Sequence, residues 1–244
     1  MESKYRWNHQ SSEVIQSFMN EKKMAILPLG ATEDHGPHLP VGTDNFICQK
    51  VCGCLAEKTG DIILPSLAYT YVWSLGDRVG TISLSFDTLR DTIKEIACEL
   101  FRQGIKMLVC VDAHIGNTPV VKAAFRDALE IHPDMRCMYF AYLDYASSVS
   151  FSSPRASGKY IHACEIETSA MLYAKPELVA MDKAVKNYPD IPKRSQYLNI
   201  RWSEFTDIAV LGDATCGKAE KGEELILHAV EEIAKLMEEE RKRL

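Results

Sequence analysis

The residues of this chain best suited to chemistry crowd into one short stretch. Positions 33–44 carry Glu33, Asp34, His35, His38 and Asp44, interleaved with Gly36, Gly42, Pro37 and Pro40. Carboxylate oxygens together with neutral imidazoles suit a borderline divalent ion such as zinc, manganese or iron. Gly and Pro hold the backbone to a set course, so the ligand atoms need little ordering on binding. A plain polar loop accounts for the Gly and Pro but not for this density of ligand-type side chains. Loops that follow strands often carry function, and an apolar run, Met24 to Leu29, precedes this one.

Two further stretches hold the same residue types. Asp112-Ala113-His114-Ile115-Gly116-Asn117 follows the most apolar run of the chain. By itself His114 reads as a hydrogen-bonded structural histidine; beside the first loop, on the same edge of a sheet, it reads as a ligand. Asp112 is placed to orient it, or to cap the strand end, and Asn117 to cap the next helix. The other stretch is Ile161-His162-Ala163-Cys164-Glu165-Ile166-Glu167-Thr168-Ser169. Acidic residues in the first turn of a helix suit its dipole, which explains Glu165 and Glu167 without chemistry. In the functional reading one of them meets a metal and His162 moves a proton. Two residues apart on a helix they face different ways, so only one enters a site, and composition does not choose between them. Cys164 beside His162 invites a thiol nucleophile, but sequence neighbours rarely have the geometry of nucleophile and base.

These stretches need a scaffold that brings them together. Residues 24–29, 61–67, 106–111 and 135–143 read as strands, with 106–111 central and parallel. Residues 43–59, 85–103, 117–131, 163–172 and 218–243 read as helices, with Thr43 a cap for the first and Gly104 the stop of the second. Alternating strands and helices imply a layered α/β/α fold with a mostly parallel central sheet, whose ligand sits beyond the carboxyl ends of the strands. The chain's 244 residues suffice for one large domain or two small ones. Residues 144–160, Ser-rich with Pro154 and Gly158, read as a long loop near the site, suited to act as a lid or reach a neighbouring subunit.

Composition narrows the function. Hydrophobic residues at 46% and charged residues at 25% are ordinary for a soluble protein. A net charge of −6 provides no basic face for nucleic acid or an anionic membrane. The opening residues are polar, without the apolar core of a signal peptide, and no apolar run approaches the roughly 20 residues of a span. The eight cysteines lack paired metal spacing, and the expectation is reduced thiols in a cytoplasmic protein.

Taken together, the three stretches resemble the creatininase family of metal-dependent amidohydrolases. Its opening motif, Pro-x-Gly-x-x-Glu-x-His-Gly-Pro-His-Leu-Pro-x-x-x-Asp, is matched almost throughout by residues 28–44. Its second, Asn-x-His-Gly-Gly-Asn, corresponds to residues 112–117, and its third, His-Ala-Gly-x-x-Glu-Thr-Ser, to residues 162–169. The motifs come in family order and span most of the chain, which implies that residues 1–244 form a single creatininase-like hydrolase domain. The resemblance implies two divalent ions, one held by Glu33, Asp44 and His114 and the other by His35 and Asp44, with Asp44 bridging. Glu167 falls on the family's glutamate and is the choice for the remaining ligand. His162 falls on the histidine near the reacting group, as a general acid or substrate contact. Two cations sharing a carboxylate and a water would give hydroxide at neutral pH to attack a carbonyl, with no protein nucleophile. Family kinship also implies assembly into homo-oligomers, hexamers among them. The aromatic set Tyr139, Phe140, Tyr142, Tyr145 and Phe151 offers an interface, with a core role for most of it as the default.

Departures from the family pattern bear on the substrate. True creatininases carry a Glu ligand where this chain has Gly116, and of the family's Phe-Pro-Gly-Thr run only Gly80-Thr81 remains. The altered segment puts Trp73, Asp77 and Arg78 at a polar pocket, so the residues expected to contact substrate are Trp73, Arg78 and Asn117. The resulting expectation is a hydrolase acting on a C–N bond of a small, cyclic amide or formamide, not creatinine. The alternatives are C–C hydrolysis of a cyclic polyhydroxy ketone from inositol breakdown, and a non-catalytic protein that binds metal or a small molecule.

Overall fold

The computed structural model describes residues 2–21, 24–154 and 160–244. The strands are β1 (Met24–Leu29), β2 (Ile62–Ile63), β3 (Met107–Asp112), β4 (Arg136–Ala141), β5 (Lys186–Asn187) and β6 (Gly212–Asp213). The helices are α1 (Ser12–Glu21), α2 (Thr43–Thr59), α3 (Phe86–Gln103), α4 (Thr118–Ile131), α5 (Glu165–Ala174) and α6 (Ala219–Arg241). The main sheet runs β2-β1-β3-β4 with every pairing parallel, and β5 and β6 form a small antiparallel ribbon.

Period-two alternation along the strands decides the layers. Met24 and Ile26 of β1, with Met107, Val109 and Val111 of β3, enter a core built with Ile47 and Val51 of α2, Ile166 of α5 and Ile233 of α6. Ala25, Leu27 and Leu29, with Leu108 and Cys110, face the opposite core, among Ile15 of α1, Leu89 and Ile93 of α3 and Val121 and Phe125 of α4. The result is the expected α/β/α arrangement, with β3 interior and buried along its whole length.

Several local expectations give way to tertiary detail. The strand expected over residues 61–67 shrinks to Ile62–Ile63. After Leu64 N donates to Ile26 O at 2.8 Å, Pro28 of β1 has no N–H to continue the ladder. Pairing resumes only as an isolated bridge between Leu29 and Leu67. Ser85 caps α3 by accepting from Thr88 N, and Gly104 ends it in a left-handed conformation, as expected. Thr43 does not cap α2; it is the first helical residue, and its hydroxyl donates to Pro40 O at 2.7 Å. Helix α5 begins at Glu165, two residues later than the sequence suggested. Residues Tyr142–Ser148 form a 3-10 turn at the start of the expected 144–160 loop. Residues 155–159 of that loop lie outside the described residues. The aromatic set offered as an interface packs inward, Phe140, Tyr142, Tyr145 and Phe151 against one core and Tyr139 against the other. Among the described residues no helix is long and apolar enough to cross a membrane.

The contact of α6 with α5 depends on a missing side chain. A Cβ on Gly222 of α6 would stand 1.9 Å from Ser169 O and 2.8 Å from Ala170 N of α5. Both neighbours are backbone, so the helices must separate to admit a methyl group. Gly222→Ala is therefore expected to cost about 3 kcal/mol, an overpacking penalty at the upper end of its range. Thermal denaturation should show a midpoint lower by roughly 6–12 °C, and an unchanged midpoint would mean that α6 is not seated on α5 as described.

Candidate metal centre

The order of the parallel strands places β2 on one side of β1 and β3 on the other. Chains leaving the carboxyl ends of β1 and β3 therefore diverge and open a crevice between them. The loop after β1 brings Glu33 and His35 to that crevice, the first turn of α2 brings Asp44, and the loop after β3 brings His114. His162 and Glu167 arrive from the turn before α5 and from its first turn. Ala163 between them has φ +47°, an uncommon conformation for a non-glycine residue. Its N–H donates to a Glu167 oxygen, tying the turn to the carboxylate it presents.

All six side chains are buried, and they converge. His114 Nδ1 lies 2.9 Å from Glu33 Oε1 and 3.6 Å from Asp44 Oδ2. His35 Nε2 lies 3.2 Å from Asp44 Oδ1 and 3.9 Å from both Glu33 Oε1 and Glu167 Oε2. Asp44 thus turns one oxygen to each imidazole. The ligand-type atoms fall into the overlapping triads Glu33–Asp44–His114, His35–Asp44–Glu167 and Glu33–His35–His162. The first two are the groupings that the family resemblance implied.

The partners of the imidazoles test whether cations fit here. His35 Nδ1 meets Glu33 O at 3.2 Å, His114 Nε2 meets Tyr71 O at 3.2 Å and His162 Nε2 meets Asp34 O at 2.9 Å. A carbonyl only accepts, so each ring spends its one N–H outward and aims a lone pair at the carboxylates. Metal-binding histidines are oriented this way. Glu33 Oε2, His35 Nε2 and both Asp44 oxygens are buried without a hydrogen bond. Lone pairs facing lone pairs in a buried pocket need cations between them, and the donor set is of the right kind for divalent ions.

Electrostatics without ions points the same way. Burial pushes the His35 and His114 pKa values down, but the surrounding carboxylates, Asp44 first for His35 and Glu33 for His114, override it and hold both at about 10. Burial and then the charges of Asp44 and Glu33 raise Glu167 to about 8. His162 differs: burial and the neighbouring His35 push it well below the ordinary range, so its ring stays neutral.

The two glutamates differ in what each touches. Glu165 Oε1 accepts from Ser152 N, Ser152 Oγ and Lys221 Nζ, and Oε2 from Ser153 N. It anchors residues 152–153 away from the cluster that Glu167 joins. Glu167→Gln is expected to lower bound metal while Glu165→Gln leaves it intact and costs about 2 kcal/mol of stability from the lost charged hydrogen bonds. Elemental analysis with thermal denaturation distinguishes the pair; equal metal loss in both would contradict this division.

Other expected participants stand elsewhere. His38 Nε2 pairs with Thr168 Oγ1 at 2.9 Å, outside the triads, and burial together with the charge of His35 lowers it to about 4. Asp34 accepts from Gly36 N, shaping the loop. Asp112 takes the backbone N–H of His114 rather than its ring; the ring is oriented by Tyr71 O. Asn117 holds the N-cap position of α4 without a side-chain cap bond, and its amide is engaged elsewhere: it donates to Gly30 O and Asp112 Oδ1 and accepts from Tyr71 N. Arg78 is held by the carbonyls of Thr206 and Asp207, and Asp77 by Ser203. Cys164 is buried, with its thiol pushed up to about 12, no nucleophile at neutral pH.

A cavity of about 340 Å³ opens over the cluster. Glu33, His114, His162 and Glu167 form its reactive side, and Ile115, Leu143, Ile161 and Trp202 its apolar walls. Its size and lining are those of a small-molecule site. Trp202 is the residue that sequence reading missed. It stands edge-on to His162, with ring centroids 5.0 Å apart and planes at 82°. The altered 73–78 segment positions it: Trp202 N donates to Ser74 O, and the Arg201 guanidinium stacks over Trp73 at 4.3 Å. No motif surrounds Trp202, so only tertiary contact reveals it. Trp73 borders an adjoining hollow rather than this cavity.

Comparison with known proteins finds relatives over most of the chain. The family model described as "Creatininase: Creatinine amidohydrolase" matches residues 8–237. Among curated relatives, creatinine amidohydrolase of Pseudomonas putida is 28% identical over 230 residues, 88% of each chain. The mycofactocin precursor peptide peptidase of Mycobacterium ulcerans (strain Agy99) is 28% identical over 222 residues, 85% of this chain and 81% of that one. The 3-dehydro-scyllo-inosose hydrolase of Thermotoga maritima is 25% identical, covering 91% of this chain and 79% of that one. Among solved structures, one titled "Creatininase Mn" superposes with a TM-score of 0.89 at 24% identity, covering 97% of this chain and 98% of that one. A mutant creatininase of Zn-Zn type gives 0.84 at 25% identity with the same coverage.

Proposed function

We propose, from the premise that this chain belongs to the creatininase family, that it is a metal-dependent hydrolase that cleaves the C–N bond of a small cyclic amide or formamide other than creatinine. The observation that carries this is the set of three buried imidazoles, each with its N–H tied to a backbone carbonyl and its lone pair aimed at Glu33, Asp44 and Glu167. In this reading Glu33, Asp44 and His114 hold one divalent ion, zinc, manganese or iron, and His35, Asp44 and Glu167 the other. Residues 1–244 act as one hydrolase domain, and homo-oligomeric assembly belongs to the reading by family kinship alone. When bound, the ions polarise the substrate carbonyl and bring the pKa of a water toward neutrality.

The chain's own residues supply the rest. His162, with Nε2–H held by Asp34 O, presents Nδ1 to the centre, where it would deliver a proton to the leaving nitrogen. Trp202, Ile115, Leu143 and Ile161 exclude bulk water from the carbonyl and seat the substrate's apolar faces. Gly116, where true creatininases carry a glutamate, supports a substrate other than creatinine. Similarity to the Thermotoga maritima hydrolase supports a second reading, C–C cleavage of a cyclic polyhydroxy ketone. The predominantly apolar walls match a polyhydroxy ring less well than an amide.

The test is turnover by manganese- or zinc-loaded protein on creatinine, formamidopyrimidines, short cyclic amides and cyclic inositol ketones. Cleavage of an amide or formamide, with creatinine left intact, is expected. Cleavage of the ketones alone would replace the first reading with the second. Metal-loaded protein that turns over nothing across a wide amide and ketone panel would favour a binding protein.

A further inference from the structure

The cavity over the metal centre does not stand alone. Ser74, His114 and Gly116 border it and also border a second hollow of about 340 Å³, whose remaining walls are Tyr71, Trp73 and Asn199. The partition between the two spaces is thin at Gly116. A Cβ built there would lie 2.3 Å from His114 Nε2 and 3.1 Å from Tyr71 O. Any side chain at this position would crowd both the His114 ring and the wall that the two spaces share. The far hollow has its own character. Trp73 and Tyr71 give it aromatic faces, Trp73 is stacked from outside by the Arg201 guanidinium, and the exposed Asn199 stands at its rim. Two aromatic walls, with Ser74 and His114 at the shared partition and the Asn199 amide at the mouth, suit a flat ring.

We propose that the substrate's amide is a head group carrying an aromatic or branched apolar substituent, and that the substituent seats in the Tyr71–Trp73–Asn199 hollow, with Gly116 as the opening that admits it. The proposal rests on the metal-hydrolase reading and adds the substrate's shape to it. It makes Gly116 and Trp73 specificity-determining residues, the first by absence of bulk and the second by contact.

Binding of hydroxamates tests this apart from turnover, because the hydroxamate group needs bound ions and its tail can be varied. Manganese-loaded full-length protein is titrated calorimetrically with acetohydroxamate and with phenyl-tipped hydroxamates bearing one to three methylenes. At least one phenyl probe is expected to bind about tenfold or more tightly than acetohydroxamate, the gain from burying a ring. Asn199→Trp, which fills the hollow from an exposed loop position, should collapse that ratio toward one. A ratio near one in the unaltered protein, or a large ratio that survives in the variant, would overturn the proposal while acetohydroxamate binding upheld the metal centre. Failure of the metal-loaded protein to bind any hydroxamate would refute the metal-hydrolase reading and the proposal with it.

Discussion

Asp44→Asn is expected to empty the centre. Asn has nearly the shape of Asp, so α2 and the core behind it are left as they were. It removes the carboxylate that turns a separate oxygen to each imidazole: Oδ1 is 3.2 Å from His35 Nε2 and Oδ2 is 3.6 Å from His114 Nδ1. The first turn of α2, whose dipole favours an anion, holds the carboxylate in this position. A ligand shared by two triads cannot be lost from one ion alone. Elemental analysis should therefore show both ions reduced together, and turnover should fall by about a thousandfold or more. His162→Gln provides the contrast, since it should lower turnover with both ions retained. Full metal content in the Asp44→Asn protein would show that the carboxylate is not shared.

Removing the metal is expected to reverse the pH dependence of stability. In the metal-free protein His35 and His114 have folded pKa values near 10, above the ordinary 6.5. Their contribution is fully present below pH 6.5 and is lost as pH rises through 10. Glu167, raised from 4.5 to about 8, has the same sign and loses its contribution between those values. Glu33 is lowered from 4.5 chiefly by His114 once burial is overcome, so it acts only in acid, outside this window. Metal-free protein should therefore lose stability steadily from about pH 6 to 10. Ions compete with protons for the same lone pairs, so the loaded protein should gain stability over that range. Each kcal/mol moves the midpoint by roughly 2–4 °C in a chain of this size, so divergence of order 10 °C is expected by pH 9. Parallel pH profiles for the stripped and loaded forms would place the ions away from these imidazoles.

The sequence by itself determined the layered fold and the inventory of the centre. Strand and helix periodicity is local, and residues 24–29, 43–59 and 106–111 lie close to β1, α2 and β3. Glu33, His35 and Asp44 were legible because one Gly- and Pro-ordered loop carries them, His114 because it stands three residues past an apolar run, and His162 because it opens the stretch that resembles the family's third motif. Tertiary structure decided whatever depends on a distant partner. Glu165 and Glu167 are chemically alike, and only the rotation of α5 against α6 sends one to Lys221 and the other to His35. Arg78 and Asn117 have side chains fit for substrate, but backbone carbonyls remote in sequence engage them first. His38 lies within the richest motif, yet pairs with Thr168, far along the chain. Trp202 reaches His162 only because the 73–78 segment docks the 201–207 segment beside it. A residue's type bounds the chemistry it can do, whereas its partner, fixed only when distant segments pack, decides which of those chemistries it performs.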